Sequence, residues 1–195
     1  MSMPPFNNPL IEPRRLCARI VSGGQTGADR GALDFAIKHG YPHGGWAPHG
    51  CLAEDGIIPA KYQLKEMAEG GYRQRTRRNV QDSDATLLVN LGELDGGTLA
   101  TRVFAEKLGK PCLIVQVDSG VSGTIVEMVI NWLNLHQVKT LNVAGPRESK
   151  RPGMHQHTIE LLTAVESFLV FPQLQAWDQL MSDSCSVFRR EGEPP

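Results

Sequence analysis

A glycine-rich turn between a predicted strand and a predicted helix most constrains how this chain can fold. The apolar run Leu16 to Val21 is typical of a buried strand, and residues 27–39 have the apolar spacing of a helix. Such a turn leaves N–H groups unpaired at the positive end of the helix dipole, which favours an anion such as phosphate. A tight connection without a ligand is the alternative. The candidate phosphate-binding residues here are Gly23, Gly24, Gln25, Thr26 and Gly27.

Two more turns of this kind follow later predicted strands, which end at Asn90 and Ala144. Glycines let a ligand approach the backbone closely, and an arginine in the last turn is suited to a bidentate contact with phosphate. Alternatively, the threonine of the earlier turn only caps its helix, and the arginine is a solvated surface residue. The candidate phosphate-binding residues in these two turns are Gly96, Gly97, Thr98, Gly145 and Arg147.

Strands and helices alternate along the chain, and the strands are uniformly apolar. Such strands suit a parallel sheet covered on both faces, with ligands bound beyond the carboxyl ends of the strands. The sequence predicts an α/β fold, a Rossmann-like doubly wound, mainly parallel sheet of about five main strands with helices on both faces. The predicted strands are Leu16–Ser22, a short one around Gly45–Ala47, Ala85–Asn90, Pro111–Val117 and Thr140–Ala144. The predicted helices are Gly27–His39, a turn at Tyr62–Ala68, Gln74–Gln81, Thr98–Leu108, Thr124–His136 and His155–Phe171.

The chain of 195 residues is expected to form a single ligand-binding domain over residues 16–171. Residues 1–15 carry four prolines and no periodicity, which predicts a flexible N-terminal arm. Residues 172–195 are interpreted as a C-terminal tail that can include a short helix.

The formal net charge of −1 gives no field that would attract nucleic acid or an anionic membrane. No apolar run reaches the roughly 20 residues of a membrane span, and the N-terminus lacks the pattern of a secretory signal. The cysteines and histidines have no recognised metal-binding spacing. We therefore expect a cytoplasmic protein without a metal site, whose partners include neither nucleic acid nor membrane.

Charged residues between the first two glycine turns are further candidates. Four arginines lead into the strand Ala85–Asn90, so one or two of them are expected to face the pocket: Arg73, Arg75, Arg77 and Arg78. Glu54 and Asp55 are candidate catalytic carboxylates, although nothing in the spacing of the acidic residues identifies a catalytic pair.

Taken in order, these stretches resemble the molybdenum (cofactor) carrier family, the circularly permuted YpsA-like branch of the SLOG superfamily. The stretches that carry the resemblance are Gly45–Pro48, Ala53–Pro59, Arg75–Val80, Gly96–Thr98 and Asn142–Ser149. The resemblance implies a homo-oligomer, a dimer or tetramer, that binds a phosphorylated small molecule. The ligand it implies is molybdenum cofactor (molybdopterin) or a related nucleotide-like compound. Arg77 and Asn79 are then expected to flank the phosphate.

Two other functions stay open. The SLOG superfamily includes phosphoribohydrolases, which cleave the N-glycosidic bond of a nucleotide and are similar to this chain in the arginine segment and the Gly97–Thr98 turn. Their catalytic glutamate follows that turn closely, whereas this chain has Ala100 and Thr101 there. The resemblance therefore favours a carrier over a hydrolase. A sensor of a nucleotide derivative without turnover is the third possibility.

Overall fold

The computed structural model describes residues 14–170; residues 1–13 of the predicted arm and the whole predicted tail, 172–195, lie outside the described residues. The strands are β1 (Arg19–Val21), β2 (His43–Gly44), β3 (Trp46–Ala47), β4 (Leu52–Ala53), β5 (Gly56–Ile57), β6 (Lys65–Glu66), β7 (Ala85–Asn90), β8 (Cys112–Gln116) and β9 (Thr140–Ala144). The helices are α1 (Ala28–Lys38), α2 (Tyr72–Gln81), α3 (Gly96–Lys107), α4 (Gly123–Leu135) and α5 (Met154–Val170).

Five strands form one parallel sheet in the order β2-β1-β9-β7-β8. All six residues of β7 are buried, as expected for a strand near the middle of a sheet covered on both faces. The strand order departs from the chain order, so the chain crosses over between non-adjacent strands. This architecture confirms the predicted α/β, Rossmann-like fold.

The helices form two layers. α5 packs against α1 and α4, whereas α2 packs against α3. The main core lies between the sheet and the α1–α4–α5 layer, where fully buried side chains include Ile20, Phe35, Leu141, Leu161 and Leu162. This core fixes the positions of the strand ends, from which the glycine turns emerge.

The segment between β2 and β6 differs from the sequence prediction. A short 3-10 turn covers Ala60–Tyr62 and ends at Gln63, whose backbone is left-handed with φ 52°. The chain then extends into β6, which pairs with β3. The predicted helical turn at Tyr62–Ala68 is therefore wrong, because the left-handed residue ends the turn and strand pairing holds the next residues extended.

The predicted strand around Gly45–Ala47 is divided into two pieces. Gly44 and Gly45 have φ values of 149° and 130°, which redirect the chain between β2 and β3. β2 therefore joins the main sheet beside β1, while β3 pairs with β6 in a separate small sheet. The following hairpin, β4 and β5, is antiparallel. A second, smaller core forms beneath this segment around Leu33 and Tyr62.

Within residues 14–170, no helix has the length and apolar character needed to cross a membrane.

Candidate functional site

The three glycine turns meet at one edge of the sheet. They follow β1, β7 and β9, which are parallel neighbours, so their carboxyl ends share an edge. A cavity of about 140 Å³ opens there. Gln25 from the first turn, Gly96–Thr98 from the second, and Gly145 and Arg147 from the third contribute to its wall.

The glycines of the first turn permit close packing rather than lining the cavity. Gly27 has φ 74°, and a Cβ there would lie 2.5 Å from the carbonyl oxygen of Pro146 and 2.7 Å from the backbone nitrogen of Glu148. The first and third turns therefore touch through their backbones. In the same way, Gly23 leaves room for the Arg75 guanidinium, and Gly24 leaves room for the Leu64 side chain.

The second glycine turn leads into the N-terminus of α3. Asp95 is the N-cap residue, but its side chain does not cap the helix. Its carboxylate pairs instead with Lys150, 2.6 Å away, and lies 3.7 Å from Arg151. The first amides of α3 thus have no side-chain cap, and Gly96 and Gly97 place no side chain over them. Thr98 lies inside the first turn of the helix, buried against the cavity, so it is not the cap.

Arg75 brings a buried positive charge to this helix end. Its side chain is buried, and Nη1 donates to Asp29 Oδ2 over 3.0 Å. Its Nε has no hydrogen-bond partner. Asp29 also lines the cavity and accepts a hydrogen bond from the Gln25 backbone. Burial raises the pKa of Asp29, although the Arg75 charge opposes that rise. A guanidinium group and uncapped helix amides that line the same cavity make an anion-binding arrangement.

The structure places Arg77 and Asn79 away from the cavity. Arg77 is exposed and lines a separate groove with Phe104. Asn79 is buried, where its amide brackets the backbone of Trp46: Oδ1 accepts from Trp46 N–H over 2.8 Å and Nδ2 donates to Trp46 O over 3.2 Å. These positions do not put either residue beside the glycine turns.

The third turn packs closely against β7 and also contributes a positively charged side chain, Arg147, to the cavity. A Cβ on Gly145 would collide with the Val89 carbonyl oxygen, so the end of β9 passes directly beside β7. Arg147 lines the cavity with its side chain 49% exposed, and its Nη1 lies 3.7 Å from Glu54 Oε2. Lys150 contributes a further ammonium group to the wall.

Side-chain hydrogen bonds and an ion pair of Glu54 and Asp55 hold the β4–β5 hairpin against the first and third turns. The Glu54 carboxylate accepts hydrogen bonds from the Thr26 hydroxyl and from the Ser149 amide and hydroxyl. Burial alone would raise the pKa of Glu54, but the Ser149 and Thr26 hydrogen bonds and the Arg147 charge together lower it. Asp55 forms a two-pronged pair with Arg30, which lowers the pKa of that carboxyl. Neither carboxylate lines the cavity.

The side chains of Gln25 and Thr26 also form hydrogen bonds with the hairpin and within the first turn itself. Gln25 Oε1 accepts from the Glu54 backbone over 2.9 Å and from the Thr26 backbone over 3.0 Å. The Thr26 hydroxyl donates to Glu54 and accepts from the Glu148 backbone over 3.2 Å. Thr26 therefore holds the turns together rather than facing the cavity.

Asp29, Tyr72 and Lys150 are among the cavity residues that were not assigned to the site from sequence. Arg75 was one of the four arginines of which one or two were expected to face the pocket. Arg75 and Asn79 are four residues apart, as are Arg73 and Arg77, so a helix here places the two pairs on different faces. Arg75 and Asn79 are both buried in the structure, so their face is the inward one.

The donor set suits a phosphate rather than a bare metal ion. The described part of the chain holds no group of three or more His, Cys, Asp or Glu side chains arranged to hold a metal. The cavity instead combines helix amides with Arg75, Arg147 and Lys150.

A parallel sheet with its glycine turns gathered at the carboxyl edge defines the class of Rossmann-like folds that place ligand sites there. The chain belongs to the circularly permutated YpsA SLOG family, whose family model matches residues 20–166. A crystal structure named "Putative molybdenum carrier protein", from Syntrophus aciditrophicus, shares 47% sequence identity with this chain. The match covers 77% of this chain and 96% of that chain, with a TM-score of 0.75.

An imine reductase from Myxococcus stipitatus in complex with NADP+ also matches, with 16% identity over 91% of this chain and 68% of that chain. Its TM-score of 0.31 means that it supports no argument about fold or function. Among proteins with curated functions, none matches this chain.

Proposed function

We propose that this protein binds a phosphorylated small molecule at the glycine-turn cavity and carries it without chemical turnover. The observation that carries the proposal is that Arg75 and the first residues of α3, whose amides have no side-chain cap, line the same cavity. Helix N-terminal amides and a guanidinium group both favour a bound phosphate, so an anion in this cavity would be stabilised by both.

The cargo that we propose is molybdenum cofactor or a related nucleotide-like phosphate ester. The Syntrophus relative, which is 47% identical to this chain, is named "Putative molybdenum carrier protein". The residues present suit the phosphate end of such a cargo: Arg75, Arg147 and Lys150 supply positive charge, and Gly96 and Gly97 leave the helix amides accessible. In this proposal the metal arrives with its organic ligand, because the chain's own contribution is a phosphate-binding donor set.

The experiment that tests the proposal is purification of the full chain from cells that make molybdenum cofactor, followed by mass spectrometry of the released small molecules and elemental analysis. We expect a stoichiometric phosphorylated compound, with molybdenum if the cargo is the cofactor. Calorimetry with inorganic phosphate tests the subsite directly. Absence of any phosphate binding by the wild-type protein, at concentrations up to the millimolar range, would contradict the proposal.

One observation favours a hydrolase as the second candidate. Asp29 is a carboxyl that lines the cavity, and burial raises its pKa, which is a common property of catalytic acids. Against this, Asp29 is held by Arg75 and by the Gln25 amide, which assigns it a role in orienting the guanidinium. Release of free base from nucleoside monophosphates distinguishes the two functions.

Assembly into a dimer or tetramer and a cytoplasmic location remain parts of the proposal. They rest on the resemblance to the carrier family and on the sequence pattern. Native mass spectrometry at micromolar concentration tests the assembly, and a spectrum with monomer alone would contradict it.

A further inference from the structure

Tyr72 occupies an unusual position for a tyrosine of this chain. Tyr41 and Tyr62 are each 3% exposed, and their hydroxyls donate to Glu166 and Asp34, respectively. Tyr72 is 45% exposed, and it is the single aromatic residue among the described residues that line the glycine-turn cavity. An apolar ring is therefore held partly in solvent on the wall of a polar, cationic cavity.

The position of Tyr72 on α2 relates it to the proposed phosphate subsite. Tyr72 is the first residue of α2, and Arg75 is three residues further along, so both lie on one face about one helical turn apart. The backbone position of Tyr72 is therefore about 4.5 Å nearer the start of α2 than that of Arg75, and both residues line the cavity.

The size of the cavity decides which part of a ligand fits inside it. Pockets that enclose a whole small molecule usually have volumes of about 300–1,000 Å³. The present cavity has about 140 Å³, which suits a phosphate group but leaves a ring system outside. The adjoining surface of α3 is free of side chains, because a Cβ on Gly97 would meet nothing within 4 Å and one on Gly96 would meet only Lys150 Nζ at 3.5 Å.

We propose that the cargo is a phosphate monoester bearing a planar heteroaromatic ring, and that Tyr72 is the side chain on which this ring stacks. The inference rests on the proposed function and deepens it by assigning the ring end of the ligand. The phosphate binds at Arg75 and the α3 amides, and the ring lies at the rim between Tyr72 and the bare Gly96–Gly97 backbone. Both purine mononucleotides and fused-ring phosphates such as flavins and pterins carry this chemistry.

The test compares ligands with and without a ring by calorimetry. The probes are guanosine monophosphate and flavin mononucleotide, which have rings, and ribose 5-phosphate and inorganic phosphate, which do not. For wild-type protein, we expect the ring-bearing probes to bind about tenfold or more tightly than ribose 5-phosphate, the typical contribution of one stacking contact. The tighter of the two ring-bearing probes indicates whether the rim prefers a purine or a fused tricyclic ring.

Substitutions assign the effect to Tyr72. We expect Tyr72→Ala to remove the advantage of the ring-bearing probes and to leave inorganic phosphate binding unchanged, whereas Tyr72→Phe retains the advantage. Leu99→Ala is the matched control, because Leu99 is 42% exposed on α3 but does not line the cavity. Quenching of flavin fluorescence by wild-type and Tyr72→Phe protein, but not by Tyr72→Ala, is the spectroscopic sign of stacking.

Two results would overturn the inference. One is equal affinity of wild-type protein for guanosine monophosphate, flavin mononucleotide and ribose 5-phosphate. The other is an equal loss of ribose 5-phosphate and ring-bearing probes in Tyr72→Ala. In both cases inorganic phosphate still binds, so the phosphate-carrier proposal stands; failure of all four probes would instead contradict that proposal.

Discussion

The guanidinium of Arg75 lies 3.0 Å from the Asp29 carboxylate, and both residues line the glycine-turn cavity. Both side chains are buried, so neither charge is well screened by solvent. Removing one member of such a pair leaves the other charge buried alone, which typically costs about 3–5 kcal/mol. In Arg75→Ala, a loss of binding could therefore not be distinguished from a loss of stability. A substitution that retains the positive charge is needed.

Arg75→Lys is the first prediction. Lysine retains the charge opposite Asp29 but has no planar fork that could bind Asp29 and an anion at the same time. We expect phosphate affinity to fall by about tenfold or more, equivalent to the loss of one charge-assisted hydrogen bond of about 1.5–3 kcal/mol. Calorimetry with inorganic phosphate measures the affinity.

Arg77→Lys is the matched control for that experiment, because Arg77 is an exposed arginine on the same helix that lines a different groove. We expect it to bind phosphate as the wild-type protein does. Equal losses in the two variants would remove Arg75 from the site.

The contrast between these two arginines shows what could be predicted from the sequence. The alternation of helices with uniformly apolar strands along the chain predicted the parallel sheet. Each glycine turn directly follows a strand, which predicted that the three turns lie at the same edge of that sheet. The choice of Arg77 and Asn79 came from the order of a motif, and a motif does not report which side of a helix is buried. The 3.6-residue period groups Arg75 with Asn79 on one face, and their burial in the structure shows that this face is the inward one.

The segment from β2 to β6 could not be predicted in the same way. Its strands have only two residues each, too few to show an alternating pattern. Its course depends on distant contacts, such as the Glu54 carboxylate with Thr26 and Ser149. Glu54 was a candidate catalytic residue in the sequence. Its structural role could not be predicted, because its hydrogen bonds are to residues far away in the chain.

Arg147→Ala is the second prediction. The side chain is half exposed, and its nearest carboxylate oxygen, on Glu54, is 3.7 Å away, so this ion pair adds little to stability. We expect a nearly unchanged melting temperature and a loss of about 1.5–3 kcal/mol in phosphate binding, since a lining cation is removed. Arg102→Ala, which removes an exposed arginine paired with Glu106 on α3, is the control. Unchanged affinity in Arg147→Ala would place that arginine outside the site.

The third prediction concerns the pH dependence of stability through Glu54. Its pKa is lowered in the folded protein, so the folded state holds the proton less tightly than the unfolded chain does. The contribution of Glu54 is therefore fully present above the unfolded glutamate pKa of about 4.3 and disappears as pH falls through the lower, folded value. We expect Glu54→Gln to lower the free energy of unfolding by about 1 kcal/mol at pH 7, with the difference vanishing near the acid limit.

Urea unfolding at a series of pH values measures this effect. Asp55→Asn is the comparison, because Asp55 is 48% exposed and its pair with Arg30 is expected to contribute at most about 1 kcal/mol. A stability difference between Glu54→Gln and wild type that is the same at pH 7 and at low pH would show that the charge of Glu54 is not what stabilises the hairpin.

Gly27→Ala is the fourth prediction. Gly27 has φ 74°, and an added Cβ would meet backbone atoms of Pro146 and Glu148 at 2.5 and 2.7 Å. We expect a loss of roughly 2–5 kcal/mol in the free energy of unfolding, the sum of left-handed strain and overpacking between two turns. Gly40→Ala is the control, since Gly40 has φ 67° and open space around its Cβ. Similar losses in the two variants would mean that the first and third turns separate easily.

The last prediction concerns turnover, and we expect no release of free base from a panel of nucleoside monophosphates. Cleavage of an N-glycosidic bond develops positive charge on the sugar and requires an activated water, for which a nearby carboxylate is the usual base. The second turn of α3 offers Ala100 and Thr101 instead of an acid, and the Thr101 hydroxyl donates to the Gly97 carbonyl over 2.8 Å. Glu54 is fastened to Thr26 and Ser149 outside the cavity wall. Turnover near 1 s⁻¹ or above, as is typical of enzymes, would contradict the carrier proposal. Loss of that turnover in Asp29→Asn protein with an unchanged melting temperature, together with its retention in Glu54→Gln, would assign the reaction to Asp29.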